Sequence, residues 1–144
     1  MKSLVVYILK VALGIVCGLA VWWGLAIGFD EFAPLVMPAW YAAEGAAIED
    51  ALNRKNIPYA PTTAYLLIGL AAFAVFNVIA GFVAALVSRR RIAPPYLVGI
   101  ALLCFWIIAI SRTPLSLPFW YDLGLVATAV PLSVIGGRFV RKKR

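Results

Sequence analysis

The chain has 144 residues, 65% of them hydrophobic and 13% charged, with a net charge of +7 and a mean hydropathy of +0.98. A soluble domain is about 45–50% apolar and about 25% charged, and so short a chain has too little interior to hide the excess from water. The basic residues flank apolar runs and do not lie on an aqueous domain, which argues against nucleic acid and for anionic lipid headgroups as partners.

Charge-free runs over 11–29, 56–88, 92–111 and 123–137 predict four spans, with bounds near 4–29, 62–88, 94–111 and 119–137. Each is near the ~20 residues that a helix needs to cross a bilayer. The expected fold is therefore an all-α integral membrane protein, a four-helix transmembrane bundle forming one domain over residues 1–144.

The first span begins near Leu4, with Lys10 inside it and its ammonium snorkelling back to the headgroups. The apolar run continues to Phe29 with no small-residue cleavage site after a short core, so it reads as an uncleaved helix. Gly14, Cys17, Gly18, Gly24 and Gly28 make a stripe of small residues along it. Such a stripe lets a neighbouring backbone approach closely.

The external loop, residues 30–61, is long for a connector and should carry structure of its own. Pro38 suits a helix start, and Tyr41, Gly45, Ile48 and Leu52 then fall on one face. A short amphipathic helix is predicted there, lying on the membrane surface or the bundle, with Asp50 and Arg54 as an i,i+4 pair. The segment "NIPYAP" returns in extended form, with Thr62 or Thr63 as the N-cap of the second span.

The second span, "FNVIAGFVAALVSRRR" at its end, holds an asparagine near mid-membrane. Asn77 should point into the bundle, because an amide facing lipid is costly. It reads as an interhelical hydrogen bond rather than part of a polar path, since the cores of all four spans are free of charge. Asn77, Gly81 and Ala84/Ala85 share a face, expected to pack against the small stripe of the first span.

Pro94 and Pro95 stop the second span from running on and start the third. In the fourth span, Pro131 removes the hydrogen bond to the Ala127 carbonyl and should kink the helix, and Thr128 is placed to satisfy that carbonyl.

The chain carries 13 basic and 6 acidic residues. Ten of the basic ones, Lys2, Lys10, Arg89 to Arg91 and Arg138 to Arg144, fall on one side with no acid. Basic excess marks the cytoplasmic side, so both termini are expected there. Arg89, Arg90, Arg91, Arg141, Lys142, Lys143 and Arg144 are the candidates for contact with anionic lipid.

The candidate binding site is the outer rim. Asp30 and Glu31 end the first span, Arg112 ends the third and Asp122 begins the fourth. If these ends converge, Arg112 pairs with Asp122 or Glu31, with Trp22, Trp23, Trp40 and Trp120 around them. Such a rim suits a lipid headgroup or a small cation. Its plainer reading is acids left outside and aromatics in the interfacial belt.

No histidine is present, and Cys17 and Cys104 lie in apolar runs, so no metal, cofactor or catalytic residue is assigned. The expected function is structural or accessory, through helix–helix and lipid contacts, in a homo-oligomer or larger membrane complex. The alternatives are a component of an oligomeric small-molecule or lipid transporter or channel, and an outer-face lipid-modifying enzyme.

Overall fold

The computed structural model describes residues 2–54, 59–88, 93–112 and 115–141. They form five helices: α1 Lys2–Val36, α2 Ala39–Arg54, α3 Thr63–Val87, α4 Ala93–Arg112 and α5 Phe119–Arg141. No strand occurs among the described residues. α1, α3, α4 and α5 are each long and apolar enough to cross a membrane, and α2 is the short helix foreseen after Pro38.

Prolines, not charges, set the helix ends. The first helix was expected to stop at Phe29, but α1 runs on through Asp30 and Glu31 to Val36. Carboxylates are tolerated in a helix once it has left the apolar layer, so a charge marks the edge of that layer and not the end of the helix. Pro34 lies in the last turn, where its missing N–H forfeits a single bond. The Met37 amide closes the helix on the Ala33 carbonyl at 2.8 Å, and Pro38 follows. Pro94 and Pro95 occupy the first turn of α4, where their missing N–H groups have no intrahelical partner to lose.

α3 and α5 form the most extensive interface; α1 packs on α3, α4 packs on α5, and α1 and α4 also meet each other. A Cβ added at Gly81 would overlap the backbone of Ser133, and one at Gly136 would overlap the Val78 carbonyl. Gly99 of α4 likewise lies where a Cβ would stand 2.7 Å from the Val130 Cα. The small residues Ala129, Ser133, Gly136 and Gly137 therefore form the groove of α5 in which its neighbours sit, at spacings of i, i+4, i+7 and i+8.

This corrects the expected pairing of small faces. Asn77, Ala80 and Ala84 face α1, while Gly81 and Ala85 face α5. Two stripes on adjacent sides of α3 had been read as one. On α1, only Gly14 and Gly18 make close approaches, to Ala84, Ala80, Ser88, Pro94 and Val98. Gly24 and Gly28 have nothing within 4 Å of an added Cβ.

Gly14 is level with Ser88 and Pro94, at the end of the bundle where α3 and α4 connect. Lys2 to Leu13 thus continue about 18 Å beyond that level, at 1.5 Å per residue. Lys10 belongs to this extension and is not a lysine buried within the packed span. Leu9 and Leu13 of the same extension are 68% and 53% exposed.

Candidate functional site

Three polar arrangements lie within or at the ends of the bundle. The central one joins α1 to α3. The Trp22 indole N–H donates to Asn77 Oδ1 at 2.9 Å, with both residues almost fully buried. Trp22 had been placed at the rim, but it is the largest fully buried side chain of the core. Its ring stacks on Phe73 at 5.7 Å and meets Trp23, Phe105 and Trp106 edge-on. The amide is thus held beside a cluster of aromatic rings, where burial lowers the local dielectric and strengthens the hydrogen bond.

Other buried polar groups turn back on their own helices. Ser88 Oγ donates to the Ala84 carbonyl at 2.7 Å, and Ser133 Oγ to that of Ala129 at 2.9 Å. Thr128 Oγ1 donates to the Gly124 carbonyl at 2.6 Å and does not serve Ala127 as expected. A hydroxyl reaches the carbonyl one turn before its own residue, and Ala127 lies on the wrong side. Pro131 is exposed on the outer surface of α5, away from these groups.

The second arrangement anchors α2. Glu44 Oε1 accepts from the Tyr59 hydroxyl and from the Thr62 amide, both at 2.8 Å. Thr62 is the N-cap of α3, but its side chain makes no capping bond. A carboxylate from another helix instead takes the amide of the N-cap residue itself, next to the positive end of the α3 dipole. The Glu44 contact also raises the Tyr59 pKa, because a phenol that donates to a carboxylate resists ionisation. The Ser116 amide bonds the Tyr59 carbonyl at 3.0 Å, which ties the return segment to the α4–α5 connection. Glu44 carries no sequence signal beyond being an acid on α2, since its two partners arrive only through the fold.

The expected face of α2 meets the bundle: Tyr41 is buried, and Gly45, Ile48 and Leu52 line the cleft against α1 with it. Ala51 is buried as well, while Leu52 at the end of the helix stays 42% exposed. The Tyr41 ring stacks on Tyr65 at 4.6 Å and donates its hydroxyl to it. Burial first, then the Tyr65 neighbour, raises the Tyr41 pKa.

The third arrangement is the rim of sequence-predicted charges, which the fold does not gather into one cluster. Among the described residues, no ion pair joins Arg112 to Asp122 or Glu31, and both Arg112 and Glu31 are exposed. Asp122 stands in the first turn of α5, where one carboxylate oxygen is buried without a partner. It borders a cavity of about 420 Å³ with Ile107 and Ser111, between α4 and α5. Asp30 borders a different cleft, between α1 and α2, with Glu49, Tyr41 and Tyr65. The extra turns of α1 and the packing of α2 on Tyr65 separate the two acids.

Arg89, Arg90, Arg91, Lys142, Lys143 and Arg144 lie outside the described residues, as do Lys55 and the first residues of "NIPYAP". Arg141 closes α5. Compared with known proteins, the chain matches no family model, no curated protein and no solved structure.

Proposed function

We propose that this chain is a multi-pass membrane protein of structural or accessory type, a single membrane domain that acts through helix–helix and lipid contacts. The observation that carries the reading is the use made of the interior. Among the described residues the buried polar side chains are Asn77, Ser88 and Ser133. Asn77 is bonded to Trp22 inside aromatic rings, and both serines bond to their own helices. Among the described residues no succession of buried polar groups crosses the bundle, and a conduit for ions or protons needs one.

The orientation places both termini in the cytoplasm. Ten of the 13 basic residues and none of the 6 acids fall on the side of the termini and the α3–α4 connection. Arg89 to Arg91 and Arg141 to Arg144 then lie at the anionic leaflet, where each contributes about 1 kcal/mol of attraction. Helix–helix contact with a second copy or with another membrane protein would use the exposed apolar surfaces.

The competing reading is an oligomeric transporter or channel component. Purified protein in proteoliposomes, loaded with a pH-sensitive or potassium-sensitive dye, separates the two. Flux no faster than in protein-free vesicles is expected. Flux that rises with protein content and falls on Asn77→Leu would reject the accessory reading.

A further inference from the structure

Two cavities meet beneath α2, and one of them carries carboxylates. The inner one has a volume of about 330 Å³ and lies among α2, α3, α4 and α5. It is roughly twice the 150 Å³ cavity that admits benzene in a dry protein interior. Its walls are apolar and aromatic, including Phe73, Trp106, Ala109 and Leu125. The Trp106 indole N–H, in that wall, is buried with no hydrogen-bond partner among the described residues.

The second compartment, about 450 Å³, lies between α1 and α2 and carries the carboxylates of Asp30 and Glu49. Ile48, Leu52 and Tyr65 line both compartments, so the two adjoin at these residues. Two of those residues belong to α2, a helix pinned at Glu44 and by the Tyr41–Tyr65 stack. Among the described residues, neither lysine nor arginine lines either compartment, and neither carboxylate has an ion-pair partner.

We propose that this pair of compartments is a binding site for a lipophilic organic cation, whose apolar body fills the inner cavity while its ammonium rests between Asp30 and Glu49. The argument is the complementarity of each compartment to one end of such a ligand. The inner cavity gains by burying apolar surface, at about 25 cal/mol per Å². The outer cleft supplies negative charge beside the Tyr41 and Tyr65 rings, a setting that favours an ammonium by Coulomb and cation–π attraction. An anion of the same shape finds two carboxylates and no cation. A neutral hydrocarbon uses the inner cavity alone. This site goes beyond the accessory reading and stands whether or not solutes cross the bundle.

The test is calorimetric titration of the full chain in a non-ionic detergent, with (naphthylmethyl)trimethylammonium against naphthalenesulfonate. Saturable binding of the ammonium is expected, and none of the sulfonate. Asp30→Asn with Glu49→Gln, both on exposed positions, should weaken the ammonium about ten-fold, the sum expected for two accessible ion pairs. Ala109→Phe should block the inner cavity and remove the binding heat. If that variant elutes as aggregate, intrinsic tryptophan quenching by the ammonium in the intact chain replaces it, because Trp106 lines the cavity. Equal binding of both probes, no saturable binding, or full affinity in the double carboxylate variant would each overturn the proposal.

Discussion

Trp22 and Asn77 bury one donor and one acceptor against each other, so removing either leaves its partner without one. Asn77→Leu should therefore lower stability by about 1–3 kcal/mol, above the ~0.6 kcal/mol average for polar contacts in membrane helices, because the stranded indole N–H stays buried. Reversible unfolding in mixed micelles measures it. Trp22→Phe on top of Asn77→Leu should cost less than the two single losses added together. Additive losses would mean that the bond contributes nothing. That Asn77 would face inward could be read from its apolar surroundings, whereas its partner could not. Trp22 looked like a belt residue because tryptophan is common at membrane interfaces, and only the register of α1 against α3 brings it to the amide.

The Glu44–Tyr59 bond gives a residue-scale prediction in pH. The Tyr59 pKa is raised above its ordinary value of 10.0 in the folded chain. A raised folded-state value means that the contribution is fully present below the unfolded value and fades as pH climbs through the folded one. The gap in melting temperature between the parent and Tyr59→Phe should be present at pH 8 and narrow above about pH 10. A gap that stays constant to pH 11 would show that the hydroxyl acts by shape alone. No spacing rule could have announced Glu44, because its partners lie 15 and 18 residues away across a turn of the chain.

Among the elements, the four long helices were legible because apolar runs of bilayer length are a strong signal. Their ends were less so. Charge-free runs report the apolar layer, and α1 overran its run by seven residues because no proline intervenes before Pro34. Helix partners were legible only as a tendency. Small residues announce that something approaches, but not what, and the α5 groove of Ala129, Ser133, Gly136 and Gly137 passed unnoticed beside the more conspicuous glycines of α1. This distinction is testable at the glycines. Gly24→Ala and Gly28→Ala should leave the melting temperature unchanged or slightly raised, since an added Cβ meets nothing there and alanine is the better helix former. Gly81→Ala should lower it strongly, because the Cβ would meet the Ser133 backbone, which cannot step aside as a side chain can. Equal effects at all three positions would reject the α3–α5 packing.

Taken as a whole, the molecule has two unlike ends and a dry middle. At the α2 end, Glu44, Tyr59 and Ser116 lace the connections together, and the paired compartments lie beneath them. At the other end, α1 continues past the level of Ser88 toward the basic segments. The paired compartments could not be read from the sequence, since they take their walls from four and three helices at once. The central claim is that the middle is sealed by packing. It is tested most directly by thiol labelling in native membranes, in a Cys17→Ser/Cys104→Ser background. Cysteines placed at Asn77, Ser133 and Glu49 would be exposed in turn to a water-soluble maleimide. Rapid labelling at position 49 with none at 77 and 133 is the predicted result. Labelling at 77 or 133 at a rate near that of 49 would mean that water enters the interior, and would contradict a bundle closed by the Trp22–Asn77 bond and its aromatic rings.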